Sequence, residues 1–344
     1  MKGDGKTEGN ELSEATSNFL LDGPASINDV CKKLDISWAT AKAALEEMTV
    51  KGIVKEIVSN PKIRIFKLSI DPAFYGVPLT REQKGQALFL FQNIRQEWHK
   101  QSDKPLLSTT LQKIAVDVAI ECKCDIPVVT FHYGMVVPVV DTSFFEYKTP
   151  VNSSQILQSI KNVIPSHNNR CKDEIDSQYT KYKMFLFQSK EGLKEALNNQ
   201  KKEKDPSLEK VQSALSDFLI KCPTDNKSYE LFDLCYNFSS KINGLILTKG
   251  FSSNIEEVKE AFDILWDLIT TNFFFKEIEK YVGPDKKEVF EYIKSSQILA
   301  KKANVEERIN YLGSLINLSE EIKLPMDEES IAIRRILAEG AEEE

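Results

Sequence analysis

The sequence predicts a mainly α-helical protein with a small β-hairpin near its N-terminus, and three observations carry that expectation. Apolar residues recur at helical spacing through most of the 344 residues. Strand-like segments are confined to 53–69 and to a Val-rich stretch at 126–140. Start and stop residues, among them Ser26, Gly52, Thr80 and Asp205-Pro206, stand at the ends of the apolar runs.

The elements follow in order. Leu12 to Leu21 is an apolar-spaced helix closed by Asp22-Gly23-Pro24. Ser26 caps a short helix whose Ile27, Val30 and Leu34 share one side, because a serine oxygen can accept from the unpaired N–H groups of a first turn. Asp35-Ile36-Ser37 makes a tight turn, and a second helix runs from about Trp38 to Val50, with Ala41, Ala44, Leu45 and Met48 spaced to pack on the first. Gly52 terminates it. Ile53 to Val58 and Ile63 to Ser69 read as two strands joined by Asn60-Pro61, with Phe66 and Leu68 pointing inward.

That order, and the residues Ala25-Ser26-Ile27, Leu34, Ile36-Ser37, Leu45 and Gly52-Ile53-Val54, resemble the winged helix-turn-helix regulators of the MarR and ArsR type. The resemblance covers about a sixth of the chain and implies a DNA-reading module at 11–70, its recognition helix being Trp38 to Val50 and its wing the hairpin. Such a module places short or bidentate side chains at the start of the recognition helix and cations beside it for phosphates. Ser37, Trp38, Thr40 and Lys42 stand at the first position, and Lys62, Arg64 and Lys67 on the wing. From Glu11 to Lys67 eight basic residues are offset by eight acidic ones, so sequence-independent affinity for phosphate is expected to be weak. A winged helix that docks protein is the alternative, which an exposed Trp38 would also suit.

A composition of 28% charged and 41% hydrophobic residues is that of a globular chain with room for two or three domains. The net charge of -7 excludes a uniformly basic nucleic-acid coat and confines any DNA contact to one patch. Six cysteines without disulfide-framework spacing and a polar N-terminus point to the cytoplasm. The longest apolar run, Ile126 to Val140, is broken by Pro127, His132 and Pro138 and is too short to span a bilayer, so no membrane role is expected.

Beyond a tail at 1–10 and the module at 11–70, residues 71–79 read as a linker and 80–200 as a mostly helical middle domain. Thr80 opens a helix to about Lys100, and Ser108 to Cys122 is a second. Ile126 to Val140 reads as a buried strand pair or an extended loop wedged between helices. Leu111-Gln112-Lys113 and Ile126-Pro127 followed by Phe131-His132-Tyr133-Gly134 are similar to the Leu-Gln-Lys helix and the aromatic-Tyr-Gly strand of the Panacea-type antitoxin domain. Two departures stand out: the aromatic before Tyr133 is displaced, and Met135 replaces the proline that usually follows the glycine.

After a charged linker at 201–204, residues 205–338 read as an all-α C-terminal domain. Its expected helices are Ser207 to Ile220, one opened by a capping box at Ser253 to Glu256, and then Val289 to Ala303, Val305 to Ile316 and Glu328 to Ala338. An acidic tail closes the chain at 339–344. The rings from Trp266 to Phe275 and the Leu312 to Ile316 stripe are expected to support self-association, burial between neighbouring helices being the alternative for Phe273-Phe274-Phe275.

Catalytic signatures are sparse. Gly5-Lys6-Thr7 matches only the end of a phosphate loop, without its upstream glycine or strand. Cys122, Cys124, His132, His167 and Cys171 have donor chemistry suited to zinc but not the spacing of a known knuckle, so no metal, cofactor or catalytic residue is expected. The sequence therefore reads as a cytoplasmic DNA-binding transcriptional regulator, its helical remainder serving oligomerisation or the binding of an effector or protein partner. A non-catalytic, antitoxin-like adaptor is the alternative, and an enzyme centred on His132 and Tyr133 a third.

Overall fold

The computed structural model describes residues 5–140, 146–200, 208–224, 229–248 and 251–318, with side chains described from residue 11 to residue 316. The first four residues, the charged linker, the helix expected at 328–338 and the acidic tail lie outside these. The protein is mainly α-helical, with a few short antiparallel strands.

Helix α1 (Gly5–Leu20) begins earlier than the sequence suggested, inside the expected tail. Gly5 to Asn10 holds no proline, and adding residues to an existing helix is far easier than nucleating one. Strand β1 (Ala25–Ser26) leads into α2 (Ile27–Leu34), where Ser26 Oγ accepts from Asp29 N while Asp29 returns a carboxylate to Ser26 N at 2.8 Å. Asp35 adopts the left-handed region, and α3 (Trp38–Val50) starts on Ser37, whose hydroxyl accepts from Thr40 N at 3.1 Å. Gly52, at φ +72°, turns the chain into β2 (Val54–Ser59) and β3 (Arg64–Leu68). The sheet order is β1-β3-β2, antiparallel throughout, with a register irregularity between Glu56 and Val58.

The hairpin is covered on both faces. Val54, Phe66 and Leu68 pack with Leu20, Ile27, Val30, Leu45 and Met48 in a helical core, as expected. Val58 and Ile65, flanked by Ile57 and Ile63, join a second core with Ala73, Val77 and Leu79. The segment expected to be a linker is thus packed. Ala73 pairs with Val139, Phe74 N donates to the Pro138 carbonyl, and Val140 N donates to the Pro72 carbonyl at 2.7 Å. Lys84 then ties the base of the hairpin to the next helix, its Nζ lying 3.0 Å from Asp71 Oδ1 and 3.1 Å from the Leu21 carbonyl.

Thr80 caps α4 (Arg81–Gln101), and α5 (Ser108–Glu121) follows. The Val-rich stretch forms a hairpin of β4 (Val129–Phe131) and β5 (Gly134–Val136). Next come α6 (Ser153–Val163), α7 (Cys171–Lys181), α8 (Phe185–Asn199), α9 (Leu208–Lys221), α10 (Tyr229–Leu247), α11 (Ile255–Ile278) and α12 (Lys287–Leu318). The two helices expected at 289–303 and 305–316 are one. Asn304 between them neither removes a backbone N–H nor forces a left-handed φ, so nothing breaks the ladder.

The described residues form two compact units, one drawn from 1–191 and 263–305 and the other from 192–262 and the part of α12 after residue 305. Residues 263–305, expected within the C-terminal domain, therefore belong to the first unit. There Phe274 and Phe275 are wholly buried, Phe275 against Phe290 at 5.9 Å and Phe274 against Phe131 at 5.5 Å between ring centroids. Trp266 is covered by Phe187 at 4.8 Å. Of the rings that the sequence offered for self-association, Trp266, Phe274 and Phe275 are buried inside that unit. The second unit has its own core, in which Phe262 meets Phe218 at 5.2 Å and Phe238 at 5.8 Å.

Candidate nucleic-acid interface

The start of α3 is presented outward. Ser37, Trp38, Ala39 and Thr40 are all exposed, Trp38 by 51%, which is unusual for so large a ring. Ser37 is already engaged: its Oγ caps the helix and lies 2.8 Å from Thr40 Oγ1, so these two hydroxyls form one local unit. Lys42, one turn on, places Nζ 5.4 Å from the centre of the Trp38 ring and 3.9 Å from Glu46 Oε1. Residues 38, 42 and 46 are thus a single stripe along the helix, as the four-residue spacing requires.

The three cations of the β2–β3 hairpin have three different fates. Lys62 is exposed at the hairpin tip, where Asn60 Oδ1 accepts from Lys62 N at 2.9 Å and Ile63 N at 2.8 Å and holds the turn in shape. Arg64 is captured. Its Nε and Nη2 donate to the two oxygens of Glu56 at 2.7 and 2.8 Å, and its Nη1 donates to Glu46 Oε1 at 2.6 Å. Hydrogen bonds with Glu56 and Glu46 hold the guanidinium charged well beyond its ordinary range, and the same pairing keeps the Glu56 carboxyl below its own. Lys67 lies on the strand face next to Ile65, covered by 71–79, and burial lowers its ammonium pKa. A methyl added at Gly76 would stand 2.9 Å from Lys67 Cδ, which locates the side chain beneath that segment.

Glu46 and Glu56 were not singled out in the sequence. The Lys42–Glu46 spacing was a legible signal, but the 18-residue separation of Glu46 and Arg64 carried none.

A second polar assembly lies in the middle of the first unit. Lys113 projects from α5 and donates to the Tyr133 carbonyl at 2.5 Å and Gln178 Oε1 at 2.7 Å, while Gln112 Oε1 accepts from Val137 N at 3.0 Å. The stretches 111–113 and 131–134 are therefore in direct contact. Burial lowers the Lys113 pKa to about 8, against the pull of Cys171, Asp117 and Glu174. Beside them His167 Nδ1 lies 2.5 Å from Glu174 Oε2, and Nε2 lies 3.5 Å from Asp117 Oδ2. Burial opposes its charge, but the carboxylates of Asp117 and Glu174 outweigh that and raise the imidazole to about 9.

His132 and Tyr133 sit at the tip of the β4–β5 hairpin. His132 Nε2 lies 3.0 Å from Asp267 Oδ1, and Asp267 also pairs with Lys301. Trp266 Nε1 donates to the His132 carbonyl at 3.1 Å. These contacts seat the hairpin on α11. Thr270 Oγ1 lies 3.3 Å from His132 Nδ1 and is also bonded to the Trp266 carbonyl at 2.9 Å. Of the thiols considered for zinc, Cys122 is buried, Cys171 donates to Thr109 Oγ1, and both imidazoles face carboxylates. Among the described residues no group of three or more His, Cys, Asp or Glu could hold a metal ion, and no helix is long and apolar enough to cross a membrane.

No family model, curated protein or solved structure matches the chain.

Proposed function

We propose that residues 11–70 act as a winged helix-turn-helix that binds double-stranded DNA, within a cytoplasmic transcriptional regulator. The observation that carries this reading is the outward-facing first turn of α3, Ser37 to Thr40, beside a hairpin whose tip carries an exposed Lys62. A helix start of this kind offers short side chains and a cation, Lys42, at the height of base edges and phosphates, and the hairpin tip offers a second cation. The rigid seating of the hairpin on Ala73, Val77 and Leu79 supports a reading head fixed to the rest of its unit, so that a ligand felt by the helices could alter its presentation.

Titration of a fluorescent duplex with the full chain at several salt concentrations tests the reading. Salt-dependent binding, weakened by Lys42→Ala and Lys62→Ala but not by Lys67→Ala, is the expected result; absence of duplex binding at low salt rejects it.

A second reading is favoured by one observation, the contact of Gln112 and Lys113 with Tyr133 to Val137. The two stretches that resemble the Panacea-type antitoxin domain share one hydrogen-bonded core, which supports a non-catalytic adaptor that docks protein. Under that reading the full chain is retained by a protein partner while duplex DNA leaves it unaffected.

A further inference from the structure

The cations of the α3–hairpin face are not equivalent, and one carboxylate stands between two of them. Glu46 Oε1 is 2.6 Å from Arg64 Nη1 and 3.9 Å from Lys42 Nζ. Glu56 holds the other edge of the guanidinium through both of its oxygens and is the more enclosed of the two carboxylates. A bidentate pair fixes the plane of an arginine. Glu56 therefore acts as the mount, and it aims Nη1 outward at α3, where Glu46 meets it.

The two carboxylates differ in what could replace them. Glu56 is on the neighbouring strand, at the fork of the guanidinium. Glu46 lies on the same exposed stripe as Trp38 and Lys42, with its side chain 45% exposed, and it contributes a single oxygen to Arg64. A phosphate oxygen approaching this stripe meets Lys42 and Arg64 Nη1 only where Glu46 already is. We propose that Glu46 is an internal competitor of the DNA backbone phosphate, occupying the phosphate position between Lys42 and Arg64 and restraining the sequence-independent affinity of the face. This inference rests on the DNA-binding reading and adds to it the regulation of the same site: one carboxylate sets how much of the binding comes from phosphate.

The exchange needs no covalent step. Displacing Glu46 returns its carboxylate to water, and the phosphate takes up one hydrogen bond from Arg64 and one contact from Lys42. Glu47 provides the control. It is one residue along on the same helix, carries the same charge, and pairs with Lys51 at 2.5 Å, away from Arg64.

The experiment is a salt series of fluorescence anisotropy with a random-sequence duplex, using the full chain as wild type, Glu46→Gln, Glu47→Gln and Glu46→Gln combined with Arg64→Ala. Circular dichroism melts of each variant show that it is folded. Glu46→Gln is expected to bind several-fold more tightly at low salt and to steepen the log–log salt slope by about one to two, one for each cation released to phosphate. Glu47→Gln should leave the slope within about half a unit of wild type, and adding Arg64→Ala to Glu46→Gln should remove about one unit of the gain. If wild type binds duplex and Glu46→Gln leaves affinity and slope unchanged, or if Glu47→Gln matches it, the competitor role is overturned while the DNA reading stands. If neither wild type nor Glu46→Gln binds duplex, the DNA reading fails and this inference fails with it.

Discussion

Lys113 Nζ donates to the carbonyl oxygen of Tyr133 at 2.5 Å, joining the middle of α5 to the tip of a hairpin 20 residues later in the chain. The ammonium is nearly sealed from solvent, and its other partners are the Met135 carbonyl at 3.4 Å and Gln178 Oε1 at 2.7 Å. A buried cation is tolerated only with such a complete set of acceptors. The β4–β5 hairpin is therefore held by side chains of α5, α7 and α11 as well as by its own short ladder.

Replacing Lys113 with Met keeps the length of the side chain and removes the donor. Carbonyls of the hairpin are then left buried without it, and the expected loss of stability is about 2–4 kcal/mol. Urea unfolding of the full chain, followed by tryptophan fluorescence because Trp266 of α11 packs against the same hairpin, measures it. A change below about 0.5 kcal/mol would show that the hairpin does not depend on this contact.

Gly134 is required where it stands. Its φ of +95° is strained for any side chain, and an added Cβ would meet Gln178 Oε1 and come within 3.2 Å of Lys113 Nζ. Gly134→Ala should cost about 2–4 kcal/mol, comparable to the loss of Lys113, since both disturb one anchor. The pair should be non-additive: the double variant is expected to lose clearly less than the two single losses together, which a double-mutant cycle reads directly.

His167 makes stability depend on pH with a definite sign. Its folded pKa is raised from 6.5 to about 9, so its contribution is complete below 6.5 and is lost as pH rises through 9. Lys113 acts the opposite way: its folded value of about 8 lies below its ordinary 10.5, so the cost of burying its charge is relieved, and stability rises, only as pH climbs between those values. The window from 6.5 to 8 belongs to His167 alone of the two. Denaturation midpoints should fall across it in wild type, and His167→Gln should flatten the fall, by up to about 2 kcal/mol. An equal slope in the variant would mean that Asp117 and Glu174 do not hold the imidazolium.

Trp38 should separate fold from function. Half of its ring faces solvent, and its close polar neighbour is Lys42. Trp38→Ala is expected to leave the unfolding midpoint nearly unchanged, within about 0.5 kcal/mol, while weakening duplex binding. A large loss of stability would instead assign the ring to the core.

Much of the N-terminal module was legible as local chemistry. The bounds of α3, the Ser26 cap of α2, the turn at Asp35, the terminator at Gly52 and the inward Phe66 and Leu68 were all readable, because each is set by residues within about one turn of helix or one strand pair. The site was legible only as a set of residue types. Ser37, Trp38, Thr40, Lys42 and Lys62 are where the sequence suggested, at an exposed helix start and a hairpin tip. Arg64 and Lys67 read as equivalent wing cations and are not.

What the sequence alone determined is the mainly helical class and the order of the elements, since periodicity, caps and breakers act between near neighbours in the chain. The tertiary structure decided the rest. Whether Arg64 is free depends on Glu46, 18 residues away, and whether Lys67 is exposed depends on the 71–79 segment folding over the second face of its strand. Ile57, Val58, Ile63 and Ile65 were apolar on that face from the start, a pattern fitting a strand buried on both sides. Their partner could not be read from it. The same holds for Phe274 and Phe275, for which the sequence set burial between neighbouring helices against an interaction surface without naming the partners, Phe131 and Phe290, that cover them. Apolar burial is non-directional, so a stripe specifies that it must be covered and leaves open by what.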